Sequence, residues 1–407
     1  MKQNKIRYIR IIIITSLFLS ITGCGNYTEV NELAIITGIG IDKPKAKQDI
    51  YRVTFQVTRP GQTSNPSTGG GGEGIPVVNY TDEGHTITEA ARKISKQLSR
   101  ENFYGHNAIL VIDENTAKDN ILKVLDAFDR DPFVPSRVPI VLAHRTSAQS
   151  ILKVLTPLDT IPSISLVSQV QHTHDARGES ELVPINKVDQ YVTRRGADLS
   201  LVGISFKGKA KHGAKKANID QTQPTTVPII DGMGIFRHGK LVHWMKNEKA
   251  RSLFISYNAL KETDVNIACG KDRYFTTVIR KSKAKKHAEM RDGNLHFKMN
   301  VKMKGTLEET TCDWDIANPD TISKMELKLE EKIQEELIQS IKESLSHKSD
   351  PFHIGETLFR QHPEQWKEVE ADWGKQRKIL AQAQGDVKVN VEIMRTGMRT
   401  NRAKESK

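Results

Sequence analysis

The sequence predicts an α+β protein of more than one domain: a mixed α/β region in its N-terminal half, then an antiparallel sheet packed with one long helix. Three observations predict it. Strand-like and helix-like segments alternate from residue 33 to about 155, the pattern of helices packed on a sheet. The composition breaks at Lys207–Thr226, KGKAKHGAKKANIDQTQPTT, which is basic and nearly free of large apolar residues. Beyond that break, strand patterns lead into an apolar stripe at helical spacing and then one last strand. At 407 residues, 37% hydrophobic and 27% charged, the chain is long enough for two or three cores.

The N-terminus precedes the fold. Lys2, Lys5, Arg7 and Arg10 stand before an apolar run from Ile11 to Leu19, with no acidic residue among them. Ser20-Ile21-Thr22-Gly23-Cys24 follows. A basic start, a short apolar stretch and small residues before a cut site are the parts of a secretory signal peptide. The run is about 9 residues, or about 12 if stretched to Thr22, where a spanning helix needs roughly 20. Ile21-Thr22-Gly23-Cys24 resembles a bacterial lipobox: the small residue lets a peptidase reach the backbone, and the thiol takes the lipid. Residues 1–23 therefore read as a lipoprotein signal peptide, and Cys24 as an N-palmitoyl, S-diacylglycerol cysteine. Each buried CH₂ is worth about 0.8 kcal/mol, and two or more chains anchor stably. The expected protein is tethered, not spanning. Its formal charge of +12 falls to +8 when the four basic residues of the signal peptide leave. Outside a membrane the nearest anions are lipid head groups and wall polymers.

Within the mature chain, 33–41 and 50–58 are rich in β-branched residues, and the second alternates through Tyr51, Val53, Phe55 and Val57. They predict two strands. Residues 61–76 form a Gly/Ser/Pro loop. Ile87, Ala90, Ala91, Ile94 and Leu98 share one helical face. His106–Ile112 reads as a buried strand, 117–128 as a second helix ended by Asp131-Pro132, 138–143 as a strand and 148–155 as a third helix. Residues 163–195 read as irregular helix, a small separate unit that would divide the 24–206 region near 160. A linker at 207–226 separates that region from a C-terminal domain over 227–396, and a basic tail covers 397–407. The linker is the expected soft point for proteases.

The C-terminal domain opens on a hairpin around Arg237-His238-Gly239, then strands at 263–269, 273–281 and 295–307. Ile322, Met325, Leu329, Ile333, Leu337, Ile341 and Leu345 make a long helix over 321–346, with a capping box at Ser323–Glu326. Val387–Met394 is the final strand. Arg280–His287, with five basic residues before His287, reads as a solvated loop or as a patch facing anionic lipid or an acidic partner. Three cysteines are present and the lipid takes Cys24. Spacing leaves Cys269 and Cys312 open to two states, a disulfide or two separate buried thiols.

Chemical motifs are sparse. Gly69–Gly72 lacks the Lys-Ser/Thr of a phosphate loop, and Gly38-Ile39-Gly40 lacks the third glycine and the following helix of a dinucleotide site. His172-Thr173-His174-Asp175 has no third spaced ligand, and a helix points i and i+2 to different faces. No Gly-x-Ser-x-Gly or His-Glu-x-x-His occurs. The expectation is a non-enzymatic protein without catalytic residues, metal or cofactor.

The order of segments resembles the Ger(x)C family, the lipoprotein C-subunits of spore nutrient germinant receptors. The resemblance runs from the lipobox through Asn31–Asp42 and Tyr51–Val57 to Arg100-Glu101-Asn102-Phe103-Tyr104-Gly105-His106 and Arg130-Asp131-Pro132. It continues at Gly234-Ile235-Phe236-Arg237 with Lys240-Leu241-Val242, and at Val389–Glu392. Two positions depart: Cys24-Gly25-Asn26-Tyr27 replaces the family's Cys-Trp or Cys-Gly-Trp, and Glu248-Lys249-Ala250-Arg251 replaces Glu-Thr-Arg-Gly. The resemblance implies a subunit on the outer face of the spore inner membrane, needed for the germination response and acting beside A- and B-type integral membrane subunits, with no nucleic-acid partner. The competing expectation is a lipoprotein that captures a solute for a transporter. Such proteins show two similar lobes, and these halves differ in pattern.

Overall fold

The computed structural model describes residues 29–44, 49–59, 74–246 and 248–395. Cys24, the Gly69–Gly72 run and the basic tail 397–407 lie outside the described residues. β1 (Leu33–Asp42), β2 (Tyr51–Thr58) and β3 (Val77–Gly84) form an antiparallel meander. α1 (Ile87–Ser95) leads to the short β4 (Glu101–Phe103) and then to β5 (Ile109–Asp113), both parallel to β1. α2 (Glu114–Asp129) carries the chain over to β6 (Pro139–Ala143). α3 (Ala148–Lys153), α4 (Pro162–Arg177), β7 (Val183–Pro184) and α5 (Ile185–Thr193) precede β8 (Ser200–Lys207). After the single turn α6 (Ala210–Gly213), the hairpin β9 (Val227–Arg237) and β10 (Lys240–Met245) completes the sheet. Its order is β10-β9-β8-β6-β5-β1-β2-β3, parallel from β1 to β8 through β5 and β6, and antiparallel on both flanks.

α7 (Glu248–Tyr257) then leads to a second sheet of β11 (Thr263–Gly270), β12 (Arg273–Arg291) and β13 (Asn294–Thr310). α8 (Pro319–Ser346), α9 (Ile354–Gln361), α10 (Pro363–Trp373) and α11 (Lys378–Ala381) follow, and β14 (Gln384–Arg395) ends the described chain. α8 buries Met325, Leu329, Ile333, Leu337, Ile341 and Leu345 at the predicted spacing. Each such side chain is worth about 1.5–3 kcal/mol when taken from water. The helix begins earlier than the proposed capping box, because Asn318 caps it by accepting from the Asp320 N–H at 2.9 Å and Pro319 is its first residue.

Two cores flank the first sheet. On one face Ile39, Phe55, Leu110 and Ile112 pack against Ile94 of α1 and Ile121 and Leu125 of α2. On the other, Ile109, Val141 and Ile204 meet α3, α4 and α7. This second core continues without interruption into α8 and the inner face of the second sheet, to Val389 and Ile393. β1 is glycine-bearing for this packing: a Cβ on Gly38 would lie 2.8 Å from Leu152 of α3. The Asp42 carboxylate, at the end of the same strand, accepts the Ala148 and Gln149 N–H groups at 2.7 and 2.9 Å, fixing the start of α3.

Four expectations change. First, strand pairing crosses the 207–226 segment. β9 and β10 hydrogen-bond into the first sheet through β8, so the hairpin assigned to the C-terminal domain belongs to the N-terminal sheet. The excursion is anchored by buried Asn218, which donates to Leu155 O and Thr226 O at 3.0 and 2.9 Å. Second, 163–195 is no separate unit, since Leu166 and Val170 of α4 lie in the shared core. Third, Arg280–His287 is not a loop: it continues β12, with Lys281–His287 paired residue by residue with β13 after a bulge at Arg280. Fourth, β14 runs parallel to β13, so only β11, β12 and β13 are antiparallel. The four helices between β13 and β14 supply the crossover that a parallel pair requires.

Side chains cap exposed edges of the second sheet at two places, along the stretch of β12 that runs beyond β11 and along β14. Asn258 accepts the Ala284 N–H at 2.6 Å and donates to Ala284 O at 3.1 Å, and Gln361 treats Ala288 N–H and Lys286 O likewise, both at 3.0 Å. On the far edge, Glu330 and Glu326 of α8 accept the N–H groups of Val391 and Ile393 at 2.9 and 2.8 Å. Unpaired strand edges invite association with other strands, and these groups remove the invitation.

Candidate functional site

On the first sheet a cleft opens where α1 and the end of α2 spread apart. Thr86 starts α1 by accepting the Glu89 N–H at 3.0 Å, while Glu89 accepts the His85 N–H at 2.8 Å, a capping box. This sets Ile87, Ala90 and Ile94 on the sheet and leaves Thr88, Ala91, Arg92 and Ser95 beside the opening. Arg130 ends α2, held to Asp126 by two bonds of 2.9 and 3.0 Å. Asp131 then accepts the Phe133 N–H at 3.0 Å, turning the chain across the opening.

The result is a cleft of about 600 Å³, within the usual range for ligand and side-chain pockets. Ile39, Val53 and Phe55 form its floor, with Tyr104 set edge-on to Phe55 at 5.7 Å. Burial raises the Tyr104 phenol above its ordinary pKa, and Asn102 donates to it at 3.1 Å. The rim holds Arg92, Arg100 and Arg130 against Glu101 and Asp131. Arg92 and Arg100 are exposed and have no ion-pair partner among the described residues. Phe133 stands at the mouth, 75% exposed. An apolar floor accepts an aliphatic or aromatic group, and planar guanidinium groups hold carboxylates in bidentate fashion. The arrangement can hold an apolar group on its floor and a carboxylate at Arg92 or Arg100 on its rim. The two sequence segments 100–106 and 130–132, distant along the chain, meet here.

A second cluster ties the layers together. Asp198, just before β8, receives two bonds from the Arg377 guanidinium, one of them at 3.0 Å. Arg377 also donates to Trp373 O and Lys348 O at 3.0 and 3.2 Å. Asp350 donates its N–H to Asp198 at 2.7 Å and accepts from Ile354 and Gly355 at 3.0 and 2.8 Å. Full burial pushes the Asp350 carboxyl up to about 7, and burial pushes nearby His353 down to about 3. Gly196 completes the junction. Its carbonyl accepts the Glu356 N–H at 2.7 Å, its φ is +69°, and a Cβ there would lie 2.3 Å from the Gly355 backbone. Nothing local along the chain marks this cluster, whose central pair is 179 residues apart.

The remaining sequence candidates have structural places. His174 of α4 bonds Ser180 O at 2.6 Å and meets Phe254 edge-on, while Asp175 pairs with Lys261 at 2.7 Å. No cluster of metal-ligating side chains occurs among the described residues. Cys269 and Cys312 are joined as a disulfide, with Cα atoms 6.0 Å apart. Arg251, at one of the family departures, is buried and bonds Glu336 of α8 at 2.6 Å. No helix among the described residues is long and apolar enough to cross a membrane.

Comparison with known proteins agrees across both sheets. Residues 26–205 match a family model described as the spore germination protein N-terminal domain, and 231–397 match one described as spore germination B3/GerAC like, C-terminal. Spore germination protein KC of Bacillus subtilis (strain 168) is 30% identical over 385 residues, covering 93% of each chain. Spore germination protein B3 of the same organism is 24% identical, covering 88% of this chain and 90% of that protein. The crystal structure of the GerBC protein superposes with a TM-score of 0.55 at 18% identity, over 88% of this chain and 97% of its own, a likeness of fold.

Proposed function

Since the chain belongs to the Ger(x)C family of spore germination proteins, we propose that it is the lipid-tethered C-subunit of a nutrient germinant receptor, held at Cys24 on the outer face of the spore inner membrane. It acts by binding the receptor's integral membrane subunits rather than by catalysis. The observation that carries the reading is the α1–α2 cleft: two family segments build it, its floor is apolar, and its rim presents unpaired guanidinium groups beside exposed Phe133. That combination suits an apolar, acidic segment of a partner chain. Tethering raises the effective concentration toward membrane partners, often into the mM range for short links, so a weak interface suffices.

The test replaces Arg100 by Glu and Phe133 by Asp in the full chain, in spores, at matched protein level. Both side chains are exposed at the cleft mouth, so folding is expected to survive. Expected are loss of co-purification with integral membrane subunits and a weakened response to nutrients. Unchanged co-purification would refute the cleft as the docking site. Tight binding of a small nutrient by the purified chain, abolished by the same substitutions, would favour solute capture instead.

A further inference from the structure

The outer face of the second sheet carries a lattice of lysines. β12 and β13 pair Lys281 with Lys304 and Lys283 with Lys302, directly across the ladder. Inward-pointing residues of the same strands, Ala284, Val301 and Met303, are buried, so the lysines all project from the opposite, open face. Lys285 and Lys298 extend the set along these strands, and Lys388 on β14 stands opposite Asn300. All seven are exposed. Only Lys304 has an ion-pair partner among the described residues, Glu392 at 2.7 Å. The other acidic groups on this face lie toward its two ends, Glu289 and Asp386 at one and Asp264 and Glu308 at the other, where Arg280 pairs with Glu308 at 3.0 Å.

Like charges directly opposite on neighbouring strands are destabilising. Two such pairs in succession therefore call for an anion outside the protein. The face is a regular grid, with strands about 4.8 Å apart and same-side residues about 6.7 Å apart along each strand. Its chemistry argues for the kind of anion. Protein interfaces are depleted in lysine and enriched in Tyr, Trp and Arg, which make rigid, desolvated contacts. Around the lysines this face offers compact, strongly hydrated ammonium groups on flexible stems and the imidazoles of His287 and His296, while the exposed ring of Tyr274 lies at the far end of β12. Such groups suit many mobile phosphates rather than one fixed partner.

We propose that the open face of the β11–β14 sheet docks on an anionic phospholipid surface. The docking is electrostatic, independent of the lipid at Cys24, and orients the chain on the membrane.

The test uses the mature polypeptide without its lipid, residues 25–407, which keeps every described residue. The probes are vesicles of phosphatidylcholine alone and of phosphatidylcholine with phosphatidylglycerol, in a sedimentation assay. Lys283→Gln, Lys285→Gln and Lys302→Gln are combined in one variant. A control variant loses the same charge at Lys207, Lys209 and Lys211, exposed lysines on the first sheet's excursion. Removing a like-charged pair leaves the first variant no less stable, checked by its melting curve. Expected are binding to the anionic vesicles only, weakening with salt, and a fall of about a hundred-fold in the sheet variant, from about 1 kcal/mol per lysine. The control falls much less. Equal loss in both variants, or no binding to anionic vesicles, overturns the proposal. Binding to soluble poly-glutamate but not to vesicles also overturns it, giving the face to an acidic protein. Because the lipid is absent, none of these outcomes bears on the tether.

Discussion

Arg377→Met is expected to destabilise the folded chain by about 4–6 kcal/mol. Arg377 and Asp198 are nearly inaccessible, and the two side chains satisfy each other through two bonds. Removing one partner of a buried pair leaves an uncompensated charge, at about 3–5 kcal/mol. Trp373 O and Lys348 O lose a donor at the same time, adding about 1 kcal/mol. With an unfolding entropy of about 2.1 cal/mol/K per residue, a unit of about 370 residues loses about 1.3 °C per kcal/mol, so Tm falls by about 5–8 °C. Asp198→Asn in the same chain removes the orphaned charge and should recover about 3 kcal/mol. The assay is urea unfolding of both single variants, the double variant and the parent, followed by tryptophan fluorescence and circular dichroism together. Divergence of the two probes in Arg377→Met would mean that the sheets unfold separately, as expected if this junction couples them. A loss below about 1 kcal/mol in the single variant, or a double variant as weak as the sum of the singles, would refute the argument.

Asp350 makes stability depend on pH with a defined sign. Its folded pKa of about 7 exceeds the ordinary 3.8, so the native state binds the proton more tightly and this group's contribution falls as pH rises from about 4 to 7. His353, lowered to about 3, works with the opposite sign in an overlapping window. The measurement is therefore the difference between parent and Asp350→Asn: the variant's relative stability should rise across that window by up to about 1.4 kcal/mol per pH unit, and a flat difference rejects the reasoning. Replacing both Cys269 and Cys312 by Ser opens a link that spans 43 residues. Chain entropy gives about 4 kcal/mol for such a loop, and 2–4 is typical. An unchanged denaturation midpoint, or two free thiols by mass spectrometry, would remove the bridge from the account. Cys24→Ala should release the chain from membranes and impair nutrient response more than folding; an unmodified mature terminus elsewhere than Cys24 would defeat the tether.

What the sequence revealed depended on whether the signal was local. The stripe from Ile322 to Leu345 and the alternation at Tyr51–Val57 are periodic within one element, and both appear where expected. Arg280–His287 reads as a loop because its inward positions are Ser282, Ala284 and Lys286, too small or too polar to show alternation. Only pairing with Met303, Val301 and Met299 reveals the strand. Strand direction is likewise not written in VKVNVEIM, and the parallel course of β14 follows from helices earlier in the chain. The break at 207–226 is real in composition, and the family models also divide there, between residues 205 and 231. Hydrogen bonding ignores it, because β9 needs an antiparallel neighbour and β8 is adjacent. The cleft was half legible: its segments carried the resemblance, but that 100–104 and 130–134 face each other required the fold.

The two candidate surfaces do not compete for the same contact. The cleft floor, Ile39, Val53 and Phe55, belongs to the core on the α1–α2 face of the first sheet. The inner face of the second sheet belongs to the core on the opposite side. The thickness of the ten-stranded sheet therefore stands between the cleft and the lysine face. A chain resting on lipid through its lysines keeps the cleft open to the extramembrane part of a partner. The junction of Asp198, Asp350 and Arg377 ties the chain before β8 of the first sheet to the helices that lead into β14 of the second. The lysine variant should then lose lipid binding while retaining its partners, whereas Arg377→Met should weaken both.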